Sequence, residues 1–402
     1  MNVLIHTDEY YPTAQACTNR MRSFAEGLIK SGASVTVICS AANLEIGEPG
    51  RTEERIIYAP VFRMKKKTAS RRLLNNLSFA VSSFFCAMKA GRFDAVITTS
   101  PPPLISKAGW LIARLKKALL VYDVRDIWPD VALEMGSFRK NGIYDRVFGR
   151  ITRFMYRHAD MITTVSPGKR EKICGYVRQT GSDAGKVRVV GNGFDENILS
   201  YPLDPEPSER FGLGKQFTCV YIGNIGMAQG LDSLLRLASE TSHRDARFLL
   251  FGKGAEKERL EKTAAEMGLD NVSFCGTLKP EEVPSILCSA QLSFIPLKSA
   301  EMKDSIPTKL YEALGLGCPV LLMAEGDSCA ILDETGLGRH LSPDHPEQLG
   351  AVFDKLVDEY GDILTRREDA KALIRNKYSR QKFTAGFAEV LRRETGSPSA
   401  SE

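Results

Sequence analysis

Short apolar segments alternate with helical segments along this chain, and the alternation starts again after a proline-rich stretch at residues 201–207. Such alternation is typical of parallel sheets whose strands are joined by helices. The predicted strands are 3–7, 35–39, 95–99, 119–122, 161–165 and 187–190, then 219–222, 248–251, 272–274, 292–295 and 320–322. The pattern predicts two Rossmann-like, doubly wound α/β domains facing a cleft. We expect them at residues 1–202 and 203–377, with a final helix at 378–393 that packs back on the first domain.

The charge of the chain is unevenly distributed. Its net charge of +5 is made up of +12 in residues 1–200 and −7 in residues 201–402, which indicates that the first half faces a polyanion. The nine cysteines are scattered and form no CxxC pair, and the five histidines show no metal spacing, so we expect a reducing compartment and no metal. No signal peptide or membrane span is recognisable. We therefore expect a cytoplasmic protein, or one that is peripheral on the inner face of the plasma membrane.

Residues 304–326 carry the densest functional pattern. Asp304 and Glu312 are eight positions apart, so both would point roughly the same way if the intervening residues were helical. The pattern predicts a helix that starts near residue 307 and ends at residues 315–317. A helix N-terminus binds phosphate, and a carboxylate one turn further in can accept both hydroxyls of a ribose. The segment thus predicts a nucleoside-diphosphate clamp, against the alternative of an ordinary strand–helix unit with surface acids.

Two loops of the first half follow predicted strands, at the edge where open α/β sheets place ligands. The stretch from Tyr122 to Asp130 contains three acids, an arginine and Trp128. Carboxylates accept hydrogen bonds from sugar hydroxyls, and an indole face covers apolar ring hydrogens, so the cluster predicts a sugar site. The alternative is an internal network of arginine and aspartate. The prolines at 101–103 predict either a stiffened ligand loop or a plain rigid connection.

The segment from residue 221 to residue 235 predicts a strand, a glycine turn and a helix. Gly223 and Gly226 would let the backbone approach a phosphate. The turn lacks both the GK[ST] of a P-loop and a complete GxGxxG, so the pattern alone does not identify its ligand. Lys253, after the next predicted strand, is either a phosphate partner or a solvated surface charge.

Six basic residues fall within residues 63–72, and an apolar tract follows at 73–88. One interpretation is a membrane-surface element, in which the cations meet anionic headgroups and Leu, Phe and Met side chains insert shallowly. The other is a solvated face beside a core helix. Nucleic-acid binding is not expected, because interleaved aromatics and a known fold signature are missing.

Several motifs of the chain occur together in one known family. They are the Asp304-x7-Glu312 element with Pro-Thr-Lys-Leu-Tyr-Glu inside it, Gly-Cys-Pro-Val at 317–320, and the two-domain layout. This set resembles the GT-B retaining glycosyltransferases of family 4 over nearly the whole chain. Five further motifs resemble a subgroup that is similar to the fucosamine-type transferases of O-antigen and capsule assembly. They are Thr-Ser-Pro-Pro-Pro (99–103), Asp-Val-Arg-Asp-Ile-Trp-Pro-Asp (123–130), Thr-Val-Ser-Pro-Gly (164–168), Val-Val-Gly-Asn-Gly-Phe-Asp (189–195) and Gly-Asn-Ile-Gly-Met-Ala-Gln-Gly-Leu (223–231).

The resemblance implies that the second domain holds a UDP-sugar, with Glu312 on the ribose diol and the backbone near Thr277 on the uracil. Asp304 would lie next to the donor sugar and Asp126 beside the reacting anomeric carbon. The catalytic residues that it implies are Asp126, Asp304 and Lys309. The donor-binding residues that it implies are Gly223, Asn224, Gly226, Gln229, Lys253, Thr277, Leu278, Lys298, Pro307, Thr308, Leu310 and Glu312. The acceptor-side residues that it implies are Ala16, Arg20, Arg125 and Trp128.

Three departures from the family pattern matter. Asn224 and Gln229 stand where many relatives have an arginine and a lysine, so another cation or dipole must stabilise the departing UDP. The candidates are Lys298, Lys309 and Arg20. Asp304 replaces a glutamate and is one methylene shorter, which bears on sugar choice. Three small residues also depart from the pattern, namely Ala14 and Ala16 in place of glycines and Gly191 in place of a proline.

The residues and the resemblance together lead us to expect a retaining, metal-independent glycosyltransferase without a cofactor. It would move a sugar from UDP onto a polyprenyl-diphosphate-linked saccharide at the inner membrane face. No nucleophile placed for double displacement is evident, which favours a same-face substitution in which the departing phosphate helps deprotonate the acceptor. The alternatives are a UDP-sugar epimerase on the same fold, a non-catalytic sugar-nucleotide-binding protein, and dinucleotide-dependent redox chemistry, which the missing glycine fingerprint weakens.

Overall fold

The chain forms two compact units in the computed structural model, which describes residues 1–13, 16–47, 50–63, 69–134, 140 and 142–397. Unit 1 comprises Met1–Asn192 and Gln381–Glu402, and unit 2 comprises Gly193–Arg380. Within the described residues, no helix is both long enough and apolar enough to cross a membrane.

Unit 1 is built on a seven-stranded sheet in which every pairing is parallel. Its strands are β1 (Asn2–His6), β2 (Ser34–Ser40), β3 (Arg55–Ala59), β4 (Ala95–Ser100), β5 (Leu119–Val124), β6 (Met161–Thr164) and β7 (Val187–Val189). Its helices include α1 (Ala16–Lys30), α2 (Ala69–Lys89), α3 (Pro103–Lys116), α4 (Asp130–Glu134), α5 (Ile143–His158) and α6 (Pro167–Gln179). The strand order is β3-β2-β1-β4-β5-β6-β7, so the order reverses between β1 and β4.

Unit 2 repeats this architecture with a six-stranded parallel sheet. Its strands are β8 (Thr218–Ile222), β9 (Arg247–Phe251), β10 (Val272–Gly276), β11 (Leu292–Pro296), β12 (Val320–Met323) and β13 (Gly338–Leu341). Its helices are α7 (Pro205–Arg210), α8 (Asp232–Glu240), α9 (Lys257–Glu266), α10 (Val283–Ser289), α11 (Thr308–Leu316), α12 (Asp327–Thr335), α13 (Leu349–Asp358), α14 (Tyr360–Leu364) and α15 (Arg367–Lys377). The order β10-β9-β8-β11-β12-β13 reverses between β8 and β11.

Both faces of the unit 1 sheet are covered, and the last helix, α16 (Arg380–Glu394), covers part of one face together with α1. The rings of Phe24 and Phe387 stack at 4.8 Å between these two helices. Strand β4 is buried along its whole length, as expected for a central parallel strand. The two-domain α/β prediction is therefore confirmed.

The border between the units lies ten residues before the expected position at 202/203. Phe194 explains the difference, because its N–H donates to the carbonyl of Tyr378 at 2.8 Å and its carbonyl accepts from the N–H of Arg380 at 3.0 Å. These bonds join Phe194 to the end of unit 2. The proline-rich stretch, expected to be a linker, contributes the start of α7, whose N-cap is Asp204.

Two strands were not predicted, β3 and β13, and both lie at an edge of their sheet. Residues of β3 are mostly half-buried, and β13 exposes His340. An edge strand has one strand neighbour and less apolar contact, so its sequence carries a weaker hydrophobic signal.

The turns after β8 and β9 are in direct backbone contact at the carboxyl edge of the unit 2 sheet. The N–H of Gly223 donates to the carbonyl of Phe251, and the N–H of Ile225 to that of Lys253, each at 2.9 Å. Gly252 has a φ of +152°, and a Cβ placed on it would lie 1.8 Å from the carbonyl oxygen of Gly223. Only glycine fits at this crossing.

We predict that Gly252→Ala destabilises unit 2, because the new methyl group meets a backbone oxygen that cannot rotate away. Backbone strain of this kind costs about 1–3 kcal/mol, and the clash adds to it. Gly361→Ala is the matched control: a Cβ at Gly361 meets nothing within 4 Å, and the site is helical. Thermal unfolding followed by circular dichroism measures both variants, and equal midpoints would contradict the prediction.

Candidate functional site

Unit 2 holds a lysine ammonium against the glycine turn formed by residues 223–230. Lys309, in the first turn of α11, donates from Nζ to the hydroxyl of Tyr221 at 3.0 Å, and Nζ lies 4.1 Å from the centroid of that ring. A Cβ placed on Gly223 would lie 2.8 Å from Nζ. Burial lowers the pKa of Lys309 to about 8, while the charge of Glu312 raises it. The ammonium therefore loses its proton more readily than that of an exposed lysine.

Tyr221 was missed in the sequence analysis, although it connects this lysine with the turn. Its hydroxyl donates to the carbonyl oxygen of Asn224 at 2.6 Å. A hydroxyl has one proton, so toward Lys309 the same oxygen acts as acceptor. The sequence pattern that could have identified Tyr221 is its position near the carboxyl end of a buried strand, where its hydroxyl can reach the ligand edge of the sheet.

The side-chain amides of Asn224 and Gln229 both approach Gly226. A Cβ on Gly226 would lie 2.5 Å from Asn224 Nδ2 and 3.1 Å from Gln229 Oε1. Gln229 Oε1 is buried and has no hydrogen-bond partner within the described part of the chain. The turn thus carries two neutral amides and no charged side chain.

Glu312 lies one turn beyond Lys309 on α11 and is half-buried. Burial raises the pKa of its carboxyl group, the charges of Arg380 and Lys309 lower it, and that of Asp195 raises it. Arg380 is itself in an ion pair with Asp195 at 2.5 Å. A partly desolvated carboxylate of this kind gains stabilisation from hydrogen-bond donors that a ligand brings.

Asp304 and Glu312 lie on a loop and on a helix respectively, as the predicted helix start near residue 307 implies. Pro307 is the N-cap of α11, with extended φ and ψ of −62° and 134°, so the helix begins at Thr308. Asp304 lies in the preceding loop and is 8% exposed. The loop is fixed from the other side, because the Ser328 hydroxyl donates to the carbonyl of Ser305 at 2.7 Å. Loop packing, not helical spacing, sets the position of Asp304.

The remaining donor-side residues differ in how far their side chains are exposed to solvent. Lys253, Thr277 and Lys298 are exposed, and Leu278 is half-buried against the core. Leu310 is fully buried in the hydrophobic core of unit 2. The Leu310 side chain therefore faces the core, and a role of this residue in donor binding stays a prediction.

Unit 1 has a buried ion pair at the end of β5. Asp123 accepts from Arg20 Nη2 at 2.7 Å and Nε at 3.0 Å, and from the Thr163 hydroxyl at 2.7 Å. Arg20 Nη1 also donates to the Val190 carbonyl at 2.8 Å and to Asn192 Oδ1 at 3.0 Å. These bonds use four of the five guanidinium N–H groups. The structure thus commits Arg20 to the internal network, which corrects its candidacy as the cation for departing UDP.

Arg125 and Asp126 follow β5 and are partly exposed. Arg125 donates from Nε to the Thr99 hydroxyl at 3.1 Å and from Nη2 to the Pro101 carbonyl at 2.7 Å, so it joins the loops after β4 and β5. The Asp126 side chain is 44% exposed, and its Oδ1 lies 3.9 Å from Nζ of Lys169, a buried lysine in the first turn of α6. Asp126 is thus an accessible carboxylate with a cation beside it.

The other acceptor-side residues lie in the same unit. The Trp128 ring meets that of Phe148 edge to face at 5.4 Å. Ala16 is the first residue of α1 and is exposed. Ala14 lies outside the described residues.

Asp8 and Glu9, after β1, were also missed. Burial and the charge of Glu9 raise the pKa of Asp8 to about 6, while Arg125 lowers it. Burial raises the pKa of Glu9, and Arg125 again opposes the shift. Like residues 122–130, these two acids come directly after a buried strand, so the same sequence pattern could have identified them.

Across the described residues, no three or more His, Cys, Asp or Glu side chains gather in a way that could hold a metal ion.

Both halves of the chain match glycosyltransferase family models. Residues 16–193 match the model described as glycosyl transferase 4-like domain, and residues 206–380 match glycosyl transferases group 1. The chain is 25% identical over 344 residues to "Putative colanic acid biosynthesis glycosyl transferase WcaI" of Escherichia coli (strain K12), covering 81% of this chain and 84% of the relative. It is 21% identical over 339 residues to "Probable glycosyltransferase WbjE" of Pseudomonas aeruginosa, covering 82% and 83%.

Solved structures show the same fold. The chain is similar to Anabaena HepE in complex with UDP, with a TM-score of 0.74 at 15% identity over 98% of this chain and 100% of that chain. It is also similar to sucrose-phosphate synthase from Thermosynechococcus elongatus, with a TM-score of 0.81 at 15% identity over 98% and 99%.

We predict that Asp123→Asn lowers the free energy of unfolding of unit 1 by about 3–5 kcal/mol, because it leaves a buried guanidinium without its counter-charge. Glu26→Gln is the matched control on α1, since Glu26 is 43% exposed in its pair with Arg22 and should cost at most about 0.5 kcal/mol. Urea unfolding followed by tryptophan fluorescence reports on unit 1, which contains both tryptophans. Similar losses in the two variants would contradict the prediction.

Proposed function

Because this chain belongs to the GT-B glycosyltransferases, we propose that it transfers a sugar from a UDP-sugar to a polyprenyl-diphosphate-linked saccharide during assembly of a bacterial surface polysaccharide. Its relatives support the polysaccharide assignment, since WcaI is named for colanic acid biosynthesis. HepE has been solved with UDP and with UDP-glucose, which supports a UDP-sugar donor.

The observation that carries the donor assignment is the set of groups around the start of α11. The first backbone N–H groups of a helix have no intrahelical acceptor and bind phosphate oxygens, and Thr308 and Lys309 provide them here. The Lys309 ammonium adds a positive charge beside the glycine turn. The Glu312 carboxylate, one turn further on, accepts hydrogen bonds from the two ribose hydroxyls. Asp304, in the loop before α11, contacts the donor sugar.

We infer a metal-independent, same-face substitution that retains the configuration of the anomeric carbon. The bond between the anomeric carbon and the phosphate oxygen breaks as the acceptor oxygen bonds to that carbon from the same side. The acceptor proton passes to the departing phosphate oxygen, so atoms and charge balance. Lys309 and the α11 dipole stabilise the charge that develops on UDP. Asp126 of unit 1 contributes on the acceptor side, with Arg125 and Trp128 beside it in the same loop.

The test of the whole proposal is a screen of UDP-sugars for UDP release, with and without a polyprenyl-diphosphate-linked sugar. Acceptor-dependent UDP release with retained configuration is expected. A new UDP-sugar formed without acceptor, seen by NMR, would instead identify an epimerase. Thermal stabilisation by UDP without turnover of any UDP-sugar would identify a binding protein, and stabilisation by NAD alone would overturn the assignment.

A membrane-facing role for unit 1 is supported by the outward face of α2. Leu74, Leu77, Val81 and Phe85 are 43–59% exposed and recur every three or four residues, opposite the buried Phe79. Exposed basic residues lie near both ends of the helix, Arg72 at its start and Lys89 and Arg92 at its end. The sequence left two interpretations open, a membrane-surface element and a core helix. Helix α2 has an exposed apolar face as well as a buried face. Residues 64–68 of the basic run lie outside the described residues.

We predict that Glu312→Ala raises the donor KM about tenfold to hundredfold, the equivalent of losing charge-assisted hydrogen bonds. Binding needs the ionised carboxyl, whose pKa is raised by burial, so donor affinity of the wild type should fall as the pH is lowered through that raised value. In Glu312→Ala, donor affinity should not show this fall at low pH. Glu301→Ala, at an exposed position in the same region, is the control. An unchanged KM in Glu312→Ala would remove Glu312 from the site.

We predict that replacing Leu77, Val81 and Phe85 together by Ser lowers binding to vesicles containing anionic phospholipid at least about tenfold, since three apolar side chains no longer insert. Leu203→Ser, at a position 64% exposed in unit 2, is the control. Vesicle sedimentation at low and high salt measures binding. Wild-type binding that depends on neither anionic lipid nor salt would contradict the membrane role. A change from dimer to monomer in the triple variant would assign the face to a second copy.

A further inference from the structure

We propose that Tyr221 is a positioning residue that holds the Lys309 ammonium against the glycine turn. The Tyr221–Lys309 pair would thereby provide the departing nucleoside diphosphate with the cation that Asn224 and Gln229 do not supply. This inference rests on the proposed function, because it concerns the donor site of unit 2.

Gly223 and Tyr221 together define where the Lys309 ammonium lies. A Cβ on residue 223 would lie 2.8 Å from Nζ of Lys309, which is too close for an ordinary contact. Glycine at this position therefore leaves room for the ammonium. The Tyr221 ring packs against Nζ at 4.1 Å, a cation–π contact that favours the charged form. An ammonium has three N–H groups, and among the described residues its one hydrogen-bond partner is the Tyr221 hydroxyl. Two N–H groups therefore remain for the oxygens of an anion.

The Tyr221 hydroxyl has a defined direction. Tyr221 donates to the Asn224 carbonyl at 2.6 Å, and so must offer its lone pair to Lys309. Burial raises the pKa of Tyr221, so the hydroxyl keeps its proton over the range in which Lys309 titrates. One side chain thus fixes the ammonium relative to the backbone of the turn. A diphosphate bound at the turn would find the cation already positioned.

Few charged groups act on Lys309. Its own helix contributes Glu312, whose charge responds in turn to Arg380 and Asp195. Strand β8 contributes Tyr221, and the turn 223–230 has no charged residue. Burial lowers the pKa of Lys309 to about 8. The Tyr221 hydroxyl accepts a hydrogen bond from the charged form, and under the proposal it favours that form.

The test is the affinity for UDP, measured by calorimetry between pH 7 and pH 9, above the pKa of the terminal phosphate and below that of the uracil N3–H. In the wild type, Kd should rise with pH as Lys309 loses its proton, and the rise should approach tenfold per pH unit above the pKa of Lys309. Tyr221→Phe should weaken binding about threefold to tenfold at pH 7 and move the rise to lower pH, since the charged lysine has lost an acceptor. Lys309→Arg should show no such rise.

Two controls separate positioning from a merely structural role. Tyr311→Phe changes a buried tyrosine of the same helix that packs on Tyr378, and it should leave both Kd and the pH profile unchanged. In a Lys309→Met background, Tyr221→Phe should alter Kd less than about twofold, because the residue through which it acts is gone. Thermal unfolding checks that each variant is folded.

Two outcomes would overturn the proposal alone. One is a Tyr221→Phe variant that weakens UDP binding equally at every pH. The other is an equal loss with and without Lys309. A wild type that binds no UDP at any pH would instead defeat the proposed function, and this inference with it.

Discussion

All strand pairings in the two sheets are parallel, and most of the chemistry of the chain follows from that constraint. Parallel strands need crossover connections, and the helices that make them cover both faces of the sheet. Polar side chains then find room mainly at the strand ends. Asp123 at the end of β5 and Tyr221 near the end of β8 are buried polar groups of this kind. Each is at the carboxyl edge, where the loops leave backbone and side-chain partners within reach.

The two units stabilise their buried charge in different ways. In unit 1 the Asp123 carboxylate receives the guanidinium of Arg20 and the hydroxyl of Thr163, so the charge is balanced inside the protein. In unit 2 the Lys309 ammonium has a hydroxyl and a ring as neighbours, and its pKa is lowered. A balanced pair supports the fold and offers little to a ligand. A cation with unused N–H groups gains most of its stabilisation when an anion arrives.

The sequence was sufficient for the architecture, because hydrophobic periodicity and glycine turns are local signals. The prediction of two doubly wound domains, and of a helix starting near residue 307, depended on such signals. Features that depend on tertiary packing were not predictable in this way. Arg20 was a candidate for the cation beside departing UDP, but its guanidinium bonds to Asp123, Val190 and Asn192 inside unit 1. The alternative of an Arg–Asp network could not be decided from the sequence, since the partner of Asp123 is 103 residues away.

The neutral amides in the glycine turn are consistent with the charge of Lys309. A positive charge in this turn would repel the ammonium, whose pKa burial has already lowered to about 8, and would favour its neutral form. The neutral amides of Asn224 and Gln229 add no such repulsion, and the carbonyl of Asn224 holds the Tyr221 hydroxyl that accepts from Lys309. Lys309 therefore lies beside a turn that contains no like charge.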